Sequence, residues 1–344
     1  MSRRIKYLTS PMKITPALRS CLTEIPRRGG FYNWLMLFKG EIEAFWNVED
    51  WEKYDVIHVN MSPVDQLILP LIREKIGWNT STKIVANNDH VSEIWNDFRQ
   101  HPSYYLNIQK NADMVFGTEP NQTSSLIDGA FCIPHPHWIE FLRNYGKQDA
   151  TKGNIGVIFH WWFGETFIPA QVLYRLKMST KQKIYTRVYA WDTSKDVSKT
   201  WSRTFFDDYI PPLAFGDYLQ QISSNELLYE PCPFHTYGRN SVDAAAIGLP
   251  MVGSNRVDSM RRCFPNMSCN PYDTKQTIRI MQRVLQGGDW LDEQLSIARD
   301  KVEYYNYNNA EQRFLTALDM VSDNKHKIDG HWIWNQTNKE FKEY

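Results

Sequence analysis

The feature that most constrains this chain is a rhythm. Short apolar, β-branched runs alternate with longer amphipathic stretches, and the alternation occurs twice. In the first half, Ile5 to Thr9, Asp55 to Asn60, Lys83 to Ala86, Asp113 to Thr118 and Phe131 to Pro134 read as strands, each bounded by polar or turn-forming residues. Between them, Phe31 to Phe45 carries Trp34, Leu35, Phe38, Ile42 and Phe45 at helical spacing, and Val64 to Lys75 and Gln122 to Ile127 read as further helices. Asn87-Asn88-Asp89-His90 is a polar loop at the end of its strand. Strands that alternate with helices predict a mostly parallel sheet covered on both faces.

A polar stretch from Asn144 to Asn154 then interrupts the pattern and reads as a linker. The rhythm restarts with strands at Ile155 to Phe159, Lys183 to Ala190, Glu226 to Tyr229 and Pro250 to Gly253, and helices near Ala170 to Lys177, Ser241 to Ile247 and Thr274 to Leu285. From Leu291 to about Val321 the chain reads as long and helical. A chain of 344 residues exceeds the size at which a single core stops growing. The expectation is therefore α/β with two parallel-sheet domains, residues 1–150 and 151–320, followed by a tail, 321–344. Ligands of open parallel sheets bind beyond the carboxyl ends of the strands. The polar residues just after each apolar run are thus the ones to weigh.

Charge excludes little. Thirty-nine basic and 39 acidic residues balance, so bulk charge points to neither a nucleic-acid nor a membrane partner. The five cysteines are widely spaced with no C-x-x-C pair, which fits a reducing compartment better than a disulfide framework. The start of the chain lacks the pattern of a secretory signal, and no window approaches the roughly 18 apolar residues of a membrane helix. These point to a cytoplasmic protein. His135 and His137 flank Pro136, but no third ligand accompanies them, so no metal is expected.

The most informative segment runs from Leu227 to Gly253 and reads as strand, loop, short helix, tight turn, strand. Asn240 or Ser241 can cap the helix, and Gly248 suits its C-terminal end, with Pro250 just beyond. A helix start offers free N–H groups and the positive end of a dipole, which suits a diphosphate. Arg239 beside it adds a charge-assisted contact. Asp243 stands three residues after Asn240, where it can also complete a cap.

Here the chain resembles the GT-B retaining glycosyltransferases of family four, which include bacterial mannosyl- and glucosyltransferases and sucrose synthase-like enzymes. Their second domain carries Glu, seven residues, Glu, then a small-residue helix and Gly-x-Pro-Val-Val. This chain has His235-Thr236-Tyr237-Gly238-Arg239-Asn240-Ser241-Val242-Asp243, then Ala-Ala-Ala-Ile-Gly-Leu-Pro-Met-Val. The second Glu is replaced by Asp243 and the first by His235. Further matches are Pro26-Arg27-Arg28-Gly29-Gly30-Phe31 to the loop near the donor phosphates, Asp55 to Asn60 to Asp-Val-Ile-His-Val-His, Asn88-Asp89 to His-Asp, Ala112-Asp113-Met114-Val115 to Ala-Asp-x-Val, and Cys132-Ile133-Pro134-His135 to Val-Ile-Pro-Asn.

The resemblance implies two Rossmann-like domains whose sheets face a cleft, the first on the acceptor side and the second on the donor side, with the tail returning to the first. It implies transfer of a sugar from a nucleotide-diphosphate sugar, with retention and without a metal or other cofactor, to an acceptor the sequence does not identify, among glycans, lipid-linked sugars and small molecules, with a modified DNA base as the alternative reading. Catalytic candidates are His235, Asp89 and His90. Donor-binding candidates are Asp243, Gly238, Arg239, Asn240, Ser241, Gly29, Gly30 and His160. One departure stands out: the Arg and Lys that the family places after the first strand of the second domain are missing from Phe159-His160-Trp161-Trp162-Phe163-Gly164-Glu165. His160, Arg239, Arg256 and Arg187 are the alternative cations. The loss of the first Glu and of that cation pair also admits a binding protein without turnover.

Overall fold

The structure, a computed structural model, describes residues 3–9, 30–60, 68–78, 80–88, 103–124, 129–146, 150–158, 167–189, 206–322 and 332–343. The chain divides into two compact units, Met1–His137 with Tyr305–Tyr344, and Trp138–Tyr304. The crossing from the first unit to the second thus comes at residues 137–138, ahead of the polar stretch read as a linker. That stretch follows a short helix, Ile139–Arg143, already in the second unit.

Unit 1 contains strands β1 (Ile5–Thr9), β2 (Glu41–Ala44), β3 (Val56–Asn60), β4 (Lys83–Asn88), β5 (Met114–Gly117) and β6 (Phe131–Cys132). Unit 2 contains β7 (Asn154–Ile158), β8 (Tyr185–Tyr189), β9 (Asp208–Ile210), β10 (Leu227–Glu230), β11 (Met251–Ser254) and β12 (Ser268–Cys269). After the return, β13 (Trp332–Asn335) and β14 (Glu340–Glu343) form an antiparallel hairpin. In unit 1 the order is β14-β13-β6-β5-β4-β3-β1-β2, and β13 pairs parallel to β6, so the tail extends the unit-1 sheet. In unit 2 the order is β12-β11-β10-β7-β8-β9, all parallel.

Alternation along the unit-1 strands builds two different faces. One is aliphatic: Leu8, Ile57, Val59, Ile84, Ala86 and Val115 pack with Ile68, Leu69, Ile72 and Ile108. The other is aromatic. Tyr7, His58 and Phe116 meet Phe31 and Trp34 of the helix Gly30–Phe38 and Phe314 of the helix Tyr307–Ser322. Trp34 is fully buried, its ring 5.2 Å from Phe314 and 5.7 Å from Phe116.

The helix expected over residues 31–45 is shorter. It ends at Phe38, Lys39 takes a left-handed φ of 49°, and Glu41–Ala44 becomes the edge strand β2, parallel to β1. The reason is local: the four residues of β2 alternate exposed and buried, a period of two that the helical spacing of Ile42 and Phe45 concealed. The long C-terminal helix is likewise two helices, Asp289–Lys301 and Tyr307–Ser322, and the chain changes unit between them.

In unit 2 the helix Arg239–Ile247 is buried along nearly its whole length, from Asn240 to Ile247. Its alanines let neighbours approach closely, and Gly248, at φ 75°, closes it by donating its N–H to the carbonyls of Ala244 and Ala245. Among the described residues no helix is long and apolar enough to cross a membrane.

Candidate functional site

The strand β10 runs into a loop, Pro231–Gly238, and then into the helix Arg239–Ile247. The loop is braced against the segment after β11: Asp258 N–H donates to Thr236 O at 2.9 Å, Ser259 N–H donates to Tyr237 O at 3.0 Å, and Thr236 and Val257 form an isolated parallel bridge. Ser259 Oγ also donates to Gly238 O. Gly238 has φ 78°, and a Cβ there would lie 1.9 Å from Val257 Cγ1. Both conformation and space therefore require glycine at this position.

Gly238 is itself the N-cap, so Asn240 and Ser241 lie inside the helix rather than capping it. They turn inward instead. Asn240 Nδ2 donates to Glu230 Oε1 at 2.6 Å, and Tyr218 Oη donates to Asn240 Oδ1 at 3.3 Å. Ser241 Oγ is buried with no hydrogen-bond partner among the described residues. Asp243 is fully buried within the helix, and its carboxylate lies 3.5 Å from Arg239 Nε, an i,i+4 pair. It is thus neither a cap nor an open acceptor.

The guanidinium of Arg239 also stacks on Phe215 at 4.6 Å. Arg256, just beyond β11, donates from Nη1 to Pro233 O at 2.6 Å and lies over Tyr272 at 5.5 Å. Both arginines are at the carboxyl edge of the unit-2 sheet. Arg187 is not: its Nη1 donates to Ser224 Oγ at 3.3 Å, and Ser224 precedes the amino end of β10. His235 is half-buried on the loop. Asp89, His90, Gly29 and His160 lie outside the described residues.

Gly30 opens the helix Gly30–Phe38, and a Cβ on it would lie 2.1 Å from the ring of His135. Close packing is reason enough for that glycine. His135 is buried and accepts from Trp34 Nε1 at 3.0 Å through its Nδ1. Among the described residues, no group of three or more His, Cys, Asp or Glu is arranged to hold a metal.

Two groups at strand ends were not singled out from the sequence. Glu230, 2% exposed, is the last residue of β10, and an acid closing the run Leu227-Leu228-Tyr229 was the visible signal. In unit 1, His58 Nε2 is 2.9 Å from Asn87 Oδ1, and Asn87 Nδ2 donates to Asn60 Oδ1 at 3.0 Å. Burial lowers the His58 pKa to about 3, partly offset by the hydrogen bond to Asn87, so the ring is neutral at ordinary pH. A cavity of about 410 Å³ lined by Arg3, Arg4, Phe38, Lys39, Glu41 and Tyr54 sits at the opposite, amino edge of this sheet.

No protein-family model and no curated protein matches the sequence. Solved structures do match. HepE of Anabaena, solved in complex with UDP-glucose, is 14% identical over 94% of this chain and 99% of its own, with a TM-score of 0.62. Sucrose-phosphate synthase of Thermosynechococcus elongatus is 15% identical over 93% of this chain and 87% of its own, at 0.61. An alpha-glucosyltransferase solved with UDP and a 13-mer DNA containing a central A:G mismatch is 9% identical over 93% and 99%, at 0.61. The chain spans a little over half the length of TarM from S. aureus, 57%, at 11% identity and a TM-score of 0.61. At these identities the likeness establishes the architecture, and two parallel-sheet α/β units following one another along the chain give this protein the fold of the GT-B glycosyltransferases.

Proposed function

We propose that the protein is a glycosyltransferase that takes a sugar from a nucleotide-diphosphate donor bound at the carboxyl edge of unit 2. The observation that carries this reading is the pair of arginines, Arg239 and Arg256, beside a helix start whose cap, Gly238, has no side chain. Departure of a nucleoside diphosphate builds negative charge on the leaving oxygen. Fixed cations and backbone N–H groups in a water-poor site stabilise that charge most effectively. Arg256 holds Pro233 O with Nη1, which aims the guanidinium along the loop and leaves its other N–H groups for phosphate oxygens. Asp243 acts through Arg239: the buried carboxylate fixes the guanidinium, and Asn240 with Glu230 fixes the helix start. In this reading the two arginines take the place of a metal. Unit 1 takes the acceptor, and the anomeric configuration is retained as in the enzymes the sequence resembles.

The donor class is tested by thermal shift with UDP-, GDP-, ADP- and TDP-sugars on the wild type and on Arg256→Gln. One nucleotide should stabilise the wild type and lose most of that effect in the variant. A folded sample that no nucleotide sugar stabilises would remove the reading. A modified DNA base as acceptor is the second reading, prompted by the likeness to the enzyme solved with DNA. Against it, the balance of 39 basic and 39 acidic residues gives the chain no bulk attraction for DNA. Duplex DNA binding that weakens steeply with salt would favour it.

A further inference from the structure

β3 ends in a polar residue on the same face as its buried histidine. His58 and Asn60 are two residues apart on one strand and so share a face. Asn87 of β4 lies opposite Asn60 in the parallel register. His58 is fully buried, ringed by Tyr7, Phe31, Trp34, Phe116 and Phe314 at centroid distances of 5.1, 5.4, 6.4, 5.7 and 5.9 Å. In that box the imidazole has a single polar outlet among the described residues, Nε2 toward Asn87 Oδ1 at 2.9 Å, and Nδ1 has no hydrogen-bond partner among them.

The contacts have one consistent polarity. Asn87 spends its amide nitrogen on Asn60 Oδ1 at 3.0 Å, so its own oxygen must accept, and His58 must carry its proton on Nε2. A ring with a pKa of about 3 keeps this neutral form at ordinary pH. The same sense passes along the chain. Asn60 turns its oxygen toward Asn87, and its Nδ2 has no partner among the described residues. Asn60 is half-buried and is the last residue of β3, at the carboxyl edge where parallel sheets meet their ligands. All three groups are neutral, which suits a neutral hydroxyl better than a phosphate.

We propose that the amide of Asn60 is a ligand contact of unit 1, donating from Nδ2 to an oxygen of a hydroxyl-bearing acceptor, and that Asn87 and His58 are positioning residues that set its orientation. The inference rests on the glycosyltransferase reading above. Reversing the chain would flip Asn87 and move the imidazole proton to Nδ1, where it would be buried with no acceptor among the described residues.

The test is nuclear magnetic resonance on ¹⁵N-labelled full-length protein. His58 should show the Nε2–H tautomer, unchanged from about pH 5 to about pH 8. A panel of methyl glucosides, mannosides and galactosides should move the side-chain amide pair of Asn60. Asn60→Ala and Asn87→Leu should each weaken the responding glycoside about 3- to 10-fold, the worth of one hydrogen bond, with nucleotide-diphosphate affinity unchanged. If Asn87 were only structural, Asn87→Leu would lower Tm and leave glycoside affinity where it was. An Nδ1–H tautomer, a His58 that titrates within that range, or an Asn60 amide unmoved by every glycoside overturns the inference. Failure of the wider reading is seen separately, as the absence of nucleotide-diphosphate binding in the same samples.

Discussion

The two sheets end in different chemistry. At the carboxyl ends of β3 and β4 in unit 1 the described polar groups include an imidazole held neutral and two primary amides, His58, Asn87 and Asn60, behind which large aromatic side chains fill the core. Around the carboxyl end of β10 in unit 2 the described groups include charged ones, Glu230, Arg239, Asp243 and Arg256, and the helix that carries Arg239 and Asp243 goes on into three alanines. One architecture thus carries a neutral polar chain at the ends of β3 and β4 and an ionic cluster around the end of β10. The difference follows from what each must hold in place. A guanidinium needs a carboxylate near it once water is removed, whereas an amide chain can sit in an aromatic box if each link is satisfied.

Substitutions can break this contrast. Trp34→Ala removes the largest side chain of the aromatic core, together with the hydrogen bond to His135. It should destabilise unit 1 by about 4 kcal/mol, the usual scale for truncating a buried tryptophan, read as a fall in the denaturation midpoint. Asp243→Ala strands the Arg239 guanidinium, whose side chain is only 10% exposed. Losing one member of a buried pair costs about 3 kcal/mol, whereas Asp243→Asn, which keeps the shape, should cost clearly less. Equal losses would mean that the carboxylate charge accounts for the whole effect and the shape that Asn keeps for none of it.

The pH dependence sharpens the comparison from the other side. His58 is neutral when folded, with a pKa lowered to about 3, while an unfolded imidazole titrates near 6.5. Between those values the unfolded chain binds the extra proton, so stability rises with pH and falls as pH is lowered from about 6.5 toward 3. The slope from this group approaches about 1.4 kcal/mol per pH unit. Urea unfolding of wild type and His58→Phe across that window should show the slope shrinking in the variant. An unchanged slope would mean that His58 is not buried as a neutral ring. The smallest effect is expected for Arg256→Gln, about 10-fold in nucleotide-diphosphate affinity and almost none in stability, because a charge-assisted contact to phosphate is lost while the fold is not.

Much of the fold was legible because buried parallel strands are continuous apolar runs. Val56–Asn60, Met114–Gly117 and Leu227–Glu230 all begin or end within a residue or so of where the runs do. The strands that escaped were short or at an edge. Asp208–Ile210 is three half-buried residues with no period to detect, and the hairpin Trp332–Asn335 with Glu340–Glu343 is recruited by pairing with Phe131–Cys132, far away in sequence. The site divides in the same way. Arg239 and Gly248 were visible from local helix and turn chemistry, whereas Gly238 stood out only through the resemblance, local chemistry having placed the cap at Asn240 or Ser241. The polar chain from His58 to Asn60 was not, because it depends on which residue of β4 stands opposite which residue of β3, and strand register is a tertiary fact.

The central claim is that the ionic edge of unit 2 holds a sugar nucleotide for chemistry and does not merely bind it. The most direct measurement is release of nucleoside diphosphate from the stabilising donor, followed over time with wild type, Arg256→Gln and Asp243→Asn. The account expects slow release by the wild type with water as acceptor, and a loss of at least about 10-fold in Arg256→Gln, since this contact strengthens as the diphosphate departs. Donor binding with no release by the wild type, even with the acceptor panel present, would contradict it and leave a binding protein on a glycosyltransferase fold.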